Sequence, residues 1–299
     1  MGVCWHHVKA LLAARKAGVD FGRTLTIGRL NLFIAAHELK TLLSPSPDLL
    51  ARYAQFLEPH PTYAEALFKL LGASDVQSLD ASDYEDASLI HDLNEPIPAP
   101  WQASFDLVDD GGTLEHVFNF PTAIRNCMEM VKVGGRLLMT TPIENHCGHG
   151  FYQFSPELFY RILSEENGFA VERMVAYEHF DGSQWYEVAD PDAVKGRVEL
   201  VSQGRRVMLW VLARRTRQTK IFARFPQQGD YQVAWEAGAA TDTGSIFLRK
   251  PGRLRSAIKG SLGRLAPRLL RQYRRRKNAL LNRPLAIEHQ PRFFKPVDE

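Results

Sequence analysis

Two short stretches of this sequence concentrate side chains able to do chemistry. Residues 109–116 carry Asp109, Asp110, Glu115 and His116, and residues 142–149 carry Glu144, Asn145, His146, Cys147 and His149. Histidine titrates near neutrality, so any of these three imidazoles could take a proton from a bound hydroxyl or amine. His146 and His149 are the stronger general-base candidates, and the competing reading has them bonding loop backbone. His146-Cys147-x-His149 also has donor types that suit zinc. No second Cys/His cluster completes a tetrahedral set, so no metal is expected. Cys147 as a nucleophile lacks a recognised motif.

The elements that must position these residues are legible around them. Phe105, Leu107 and Val108 begin an apolar run of strand type, broken at Asp109-Asp110-Gly111-Gly112. Ile124, Cys127, Met128 and Val131 recur at spacings of three and four, which gives a helix one apolar face, and Pro121 falls in its first turn. Gly134-Gly135 is expected to stop that helix, and 136–141 to form a second strand ended by Pro142. Strand, helix, strand at this length is a βαβ unit with parallel strands and a right-handed crossover. Ligands bind outside the carboxyl ends of such strands, so the two polar stretches should lie side by side there.

The remaining pattern continues the α/β alternation. A short helix is expected over 8–17, a strand over 23–27 ending at Gly28-Arg29, and a helix over 31–43 broken by Ser44–Pro47. A helix over 63–71 ends at Gly72. Strands over 76–79 and 88–90 finish in Asp80 and in His91-Asp92-Leu93-Asn94. Ser155 followed by Pro156 is a helix start, with Leu158, Phe159, Ile162 and Leu163 inward and Gly168 at its end. Strands over 171–177 and 206–212 form the closing antiparallel pair of a seven-stranded sheet. Between them, 181–204 reads as a polar excursion over the active face, containing Trp185 and Tyr186.

Several of these motifs resemble one family. Phe105-Asp106-Leu107-Val108, Leu114-Glu115-His116-Val117 and Lys132-Val133-Gly134-Gly135-Arg136-Leu137 match, in order and spacing, the fourth-strand to fifth-strand region of class I S-adenosylmethionine-dependent methyltransferases of the type 11 kind. The resemblance spans roughly 21–213. It implies a Rossmann-like, doubly wound seven-stranded sheet and S-adenosylmethionine as cofactor. It also implies cofactor contacts for Gly28, Arg29, Asp80, Asp92, Leu93, Asp109, Glu115 and His116. Asp80 matches the acid that takes the ribose hydroxyls and Asp92 the acid beside the adenine amino group; the alternative is that both acids cap turns. His116 matches a position that shapes the cofactor pocket. The first cofactor loop departs from the family's G-x-G-x-G, with Gly28 its single glycine, followed by Arg29. That arginine could pair with the cofactor carboxylate, or be a surface arginine on a plain turn.

Composition sets the outer limits. The 299 residues are 45% apolar and 24% charged, normal for a globular chain. No run of 18 apolar residues exists and the N-terminus does not read as a secretory signal. Cys4, Cys127 and Cys147 show no paired spacing, so reduced thiols and a cytoplasmic location are expected. The net charge of +3 hides an asymmetry: 249–283 contains 13 Lys and Arg and no acid. The rest therefore carries a net charge of about −10. Leu254, Ile258, Leu262, Leu265, Leu269 and Tyr273 recur there at helical spacing, interrupted by Gly260, Gly263 and Pro267.

The expected organisation is a methyltransferase domain over 1–215, a linker or wrapped extension over 216–248 and a basic amphipathic tail over 249–299. The expected partners are a small-molecule or glycan acceptor and an anionic membrane surface met through 249–283, peripherally. Nucleic acid is disfavoured because Tyr273 alone could stack a base there. The sequence leaves open the acceptor, the oligomeric state, and whether the chain is an enzyme or a non-catalytic methyltransferase-like binding protein.

Overall fold

A computed structural model describes residues 2–194, 196, 198–202, 204–229 and 286–298. The basic segment 249–283 therefore lies outside the described residues, as does most of the expected linker. The chain enters through strand β1 (Gly2–Val3) and helix α1 (Trp5–Lys16), three residues longer at its start than the apolar spacing predicts. Strand β2 (Arg23–Ile27) has the expected bounds. The helix expected over 31–43 does not begin at Asn31. Asn31–Leu32 forms strand β3, parallel to β1, and helix α2 (Ala36–Leu43) follows. The reason is local bonding. The Leu32 amide donates to the Thr62 carbonyl at 2.8 Å and Phe33 to Val3 at 2.9 Å, which holds the chain extended. Pro47 then opens helix α3 (Pro47–Leu57) rather than only ending α2, because a first-turn proline loses no helical bond.

Helix α4 (Glu65–Leu71) ends at Gly72, whose φ of 118° is one glycine adopts without strain. Strands β4 (Asp75–Asp80), β5 (Leu89–Ile90) and β6 (Phe105–Asp110) follow, then helix α5 (Phe120–Met130) and strand β7 (Val131–Glu144). The chain passes from α5 into β7 at Val131, so the two glycines do not stop the helix. They form an irregular stretch of β7 where the register with β6 shifts. A Cβ on Gly135 would stand 2.7 Å from the Asp106 carbonyl oxygen, so the close approach of β6 and β7 requires glycine there. Helix α6 (Pro156–Ile162) is capped as expected, the Ser155 hydroxyl accepting from the Glu157 amide. Strand β8 (Phe169–Glu178), strand β9 (Trp185–Val188), the single turn α7 (Pro191–Val194) and strand β10 (Val207–Arg215) complete the domain. Strand β11 (Phe294–Pro296) lies near the C-terminus.

The main sheet has the order β11-β9-β8-β10-β7-β6-β2-β4-β5. It is a doubly wound, Rossmann-like α/β sheet. Strands β5, β4, β2, β6 and β7 are parallel and β10 is antiparallel to both β7 and β8. Two strands are added to the expected seven at one edge: β9 pairs with β8, and β11 pairs with β9. The 181–204 segment is thus partly sheet, and Trp185 is buried rather than overhanging the site. Residues 286–298, placed in the tail by sequence, return to this edge. The Val297 amide donates to the Trp185 carbonyl at 2.9 Å.

Alternate strand residues face opposite layers, as a pleated sheet demands. Leu107, Leu138 and Trp210 pack with Val8 and Leu11 of α1, Leu39 of α2, Tyr53 of α3 and Phe68 of α4. Val108, Leu137 and Leu209 pack on the other side with Ile124 and Met128 of α5 and Phe159 of α6. Each fully buried side chain of this size contributes about 1.5–3 kcal/mol. Two helical layers thereby fix the sheet and leave the carboxyl ends of β2, β4 and β6 to the loops. The chain runs outward from β2 to β5 and returns on the far side of β2 at β6, which makes the β2/β6 pair the switch point.

Candidate active site at the carboxyl ends of the central strands

Gly28 ends β2 with φ 79°. Its amide donates to the Leu79 carbonyl at 2.7 Å, and its own carbonyl accepts from the Thr26 hydroxyl at 2.8 Å. The strand-end amide is therefore spent on joining β2 to β4. Arg29 is also engaged within the protein. Its Nε donates to Glu65 at 2.7 Å and Nη1 to the Glu85 carbonyl at 2.7 Å, while the guanidinium lies 3.9 Å from the Tyr63 ring centroid. It holds the loop after β4 rather than standing ready for a ligand.

Asp80 and Asp92 follow neighbouring parallel strands, with Asp80 in register with Ile90 of β5. One Asp80 carboxylate oxygen accepts from the Ala81 amide at 2.7 Å, and the other makes no hydrogen bond among the described residues. Asp92 is exposed and accepts from the Asn94 amide at 2.9 Å and its side-chain nitrogen at 2.7 Å. Those two bonds hold its carboxyl below the ordinary carboxylate range. Leu93 is buried beneath the pair, its carbonyl accepting from Asn126 at 3.2 Å.

The end of β6 is unusually acidic for a buried place. Asp109, Asp110 and Glu115 are all fully buried. Asp109 accepts from His7 Nε2 at 3.0 and 3.1 Å, so α1 is tied to the switch point by a buried ion-pair geometry. Asp110 accepts from the Thr113 amide at 2.8 Å, which leaves its Oδ2 without a partner among the described residues. Burial pushes the Asp110 carboxyl up to about 7, with Asp109 adding to the rise, and pushes Glu115 up to about 8, with Asp110 adding there. The Thr141 hydroxyl and the residue's own amide oppose the rise weakly, and neither Glu115 oxygen meets a donor in full hydrogen-bond geometry.

Glu115 and His116 lie on a 3-10 turn, Leu114–His116, and the turn draws in the second polar loop. The Glu115 carbonyl accepts from the Phe151 and Tyr152 amides at 2.8 and 3.2 Å. This docking places His149 Nε2 at 3.5 Å from Glu115 Oε1, and the His116 and His149 rings 5.0 Å apart. Burial, and then His149, lower the His116 pKa.

His146 is buried where His149 is half exposed. Its Nδ1 lies 2.9 Å from the Glu144 carbonyl, which can only accept, so the neutral ring carries its proton on Nδ1 and its lone pair on Nε2. Nε2 lies 3.5 Å from His179 Nδ1. Burial lowers the pKa of both rings: the Glu144 bond opposes this at His146, and Arg206 deepens it at His179. The pair is therefore neutral at physiological pH. Cys147 is exposed and free.

Sequence reasoning missed His179, His7 and His6. His6 Nδ1 accepts from the Trp185 indole at 2.9 Å, and Nε2 lies 2.7 Å from the Phe180 carbonyl. No spacing along the chain relates an N-terminal His-His pair to residues 109 or 180. The only available signal was residue type. Phe118 and Phe151 were also missed; they are 72% and 69% exposed and meet edge-on at 6.0 Å beside the histidines.

No protein-family profile and no curated protein matches the sequence. Solved structures resemble it in arrangement. The N-methyltransferase NodS of Bradyrhizobium japonicum, in complex with S-adenosyl-l-homocysteine, is 15% identical, covering 71% of this chain and 87% of its own, with a TM-score of 0.38. YcgJ of Bacillus subtilis is 11% identical, covering 72% and 100%, with a TM-score of 0.38. A branched-chain polyamine synthase of Thermus thermophilus is 14% identical, covering 74% of this chain and 58% of its own, with a TM-score of 0.37.

Proposed function

We propose that the chain is an S-adenosylmethionine-dependent methyltransferase acting on a small-molecule or glycan acceptor. The observation that carries the reading is the pair of acids, Asp80 and Asp92, at the ends of consecutive parallel strands beside the switch point. Asp80 keeps one carboxylate oxygen for ribose hydroxyls, and Asp92 with Leu93 borders the adenine position. Asp109, Glu115 and His116 close the floor, and Gly28 with Arg29 closes the side. The cofactor supplies a methyl group on a sulfonium that is already electrophilic. What remains for the protein is to hold the acceptor in line and to take its proton. His146 and His149 are the two proposed proton acceptors. His146 has its tautomer fixed by the Glu144 carbonyl at Nδ1, and its Nε2 lone pair faces His179 at 3.5 Å and must turn from that contact to meet an acceptor. The exposed Phe118–Phe151 pair supports an acceptor with a ring to stack.

The closure at Gly28 shapes the expectation for affinity. With its amide bonded to Leu79 and Arg29 bonded to Glu65, the methionine end finds little anchorage there, and the adenosine end carries more of the binding. The same closure supports the second reading, a methyltransferase-like protein that binds without turnover. Calorimetric titration with S-adenosylmethionine tests both. Asp80→Ala removes a charge-assisted hydrogen bond worth about 1.5–3 kcal/mol, so affinity should fall roughly ten- to a hundredfold. Unchanged affinity in a variant with a native circular dichroism spectrum defeats the assignment.

A further inference from the structure

Glu115 is the buried group that proton transfer leaves without a task. Its carboxyl has no exposure; the Thr141 hydroxyl and the residue's own amide act on it only weakly, and neither oxygen meets a donor in full hydrogen-bond geometry. Its only described ion-pair partner is His149, at 3.5 Å. A buried carboxyl of this kind either keeps its proton or gives it up to a cation that completes it. One ligand atom each from Glu115, His116 and His149 lie within 4.8 Å of one another, close enough for a single ion to take all three. We propose that Glu115, His116 and His149 form a binding site for a divalent first-row transition cation of the zinc class, which makes His149 a ligand and leaves His146 to take the acceptor's proton.

The chemistry of the donors selects the class. Two imidazoles and one carboxylate suit zinc, cobalt, iron(II) or nickel better than magnesium or calcium, which take oxygen. Three protein ligands are also too few to close a tetrahedral site. Glu115 lies inside while both imidazoles are exposed, so the remaining position faces outward, to water or an acceptor oxygen. The surroundings hold the set in place. The Phe151 and Tyr152 amides fix the Glu115 backbone. A Cβ on Gly112 would stand 3.2 Å from Glu115 Oε1, within the same loop, and one on Gly150 2.8 Å from the Glu115 carbonyl oxygen, so glycine at 150 lets the second loop close on the first. The spacing around His146-Cys147-x-His149 does not reveal this set, because no second Cys/His cluster follows it in the sequence. The fold instead brings in a carboxylate from the neighbouring loop.

The test reads metal binding alone and does not depend on methyl transfer. The untagged full-length chain is stripped with a chelator and titrated with zinc by calorimetry, and with cobalt(II) by visible absorption. One saturable equivalent is expected, with cobalt bands of nitrogen and oxygen ligation and no thiolate-to-cobalt band. His116→Ala and His149→Ala should each weaken binding by at least about tenfold, and Glu115→Gln likewise, whereas the exposed His37→Ala should not. Loss of the core carboxylate could disturb folding, so the double variant His116→Ala/His149→Ala, whose side chains are exposed, decides the matter. Undiminished binding in that variant with native circular dichroism overturns the site. So does binding abolished by Cys147→Ser, or the absence of a saturable equivalent in the wild type.

Discussion

At the scale of single residues, histidines hold the protein together as much as they equip it. His6 is buried, and desolvation lowers its pKa from 6.5 to about 4, opposed by its bond to the Phe180 carbonyl and supported by Lys9. The unfolded chain therefore takes up a proton below pH 6.5 that the folded chain refuses until about pH 4. Stability from this group is complete above pH 6.5 and is lost as pH falls through that window, by at most about 3 kcal/mol. His6→Gln should flatten the decline of the urea midpoint between pH 7 and pH 4.5 relative to wild type; an identical decline in both would show that His6 is not the source. His146 belongs to the same scale. Its alanine variant should lose turnover once an acceptor is in hand while retaining cofactor affinity, because proton removal and adenosine binding use different groups. Parallel loss of both would mean that His146 serves the fold. The residues named from sequence at strand ends were legible because strand ends are where such folds place chemistry. Their partners were not: His7 reaches Asp109 across 102 positions, and no local pattern encodes that.

At the scale of elements, legibility followed the length of the repeating pattern. Strand β2 and helix α5 were read closely because apolar residues recur through them at strand or helix period. Strands β1, β3 and β11, of two or three residues, carry no period and exist by pairing with distant chain. The Gly134-Gly135 turn was misread for a related reason. Glycine marks a special backbone, but the sequence does not say whether that is a helix end or a close approach of strands. Arg29 shows what such long-range pairing does to a loop. It joins Glu65 of α4 to the Glu85 carbonyl beyond β4, and covers Tyr63. Arg29→Ala should cost about 1–3 kcal/mol in urea unfolding and open 81–87 to proteolysis. Arg29→Lys should not restore it, since a single ammonium cannot fill the planar fork that meets both oxygens. Full rescue by lysine would assign the effect to charge alone. The Ser155 cap is a simpler case, and Ser155→Ala should cost about 1 kcal/mol.

At the scale of the whole molecule, the described residues on either side of the basic segment 249–283 both belong to the domain. The described chain leaves the domain at 229, where the Gly229 amide donates to Glu157 at 2.9 Å, and is back against the sheet edge by 286–298. Among the described residues, no helix is long and apolar enough to cross a membrane. We propose that this segment holds the protein at an anionic membrane surface, from its 13 basic residues without an acid and its leucines at helical spacing. Each basic residue near an anionic bilayer is worth about 1 kcal/mol before screening. Deletion of the tail from 249 onward would also remove β11, so charge reversal is the cleaner probe. Arg274, Arg275 and Arg276 changed together to glutamate remove about 3 kcal/mol of attraction before any repulsion, roughly a hundredfold in partitioning. The wild type should sediment with phosphatidylserine-containing vesicles, not with neutral ones, and less so as salt is raised. The main rival is docking on the protein's own surface, where about −10 of charge awaits the segment. That rival predicts no sedimentation with either vesicle and a salt-dependent stability instead. Equal sedimentation of wild type and triple variant with anionic vesicles would rule the membrane role out.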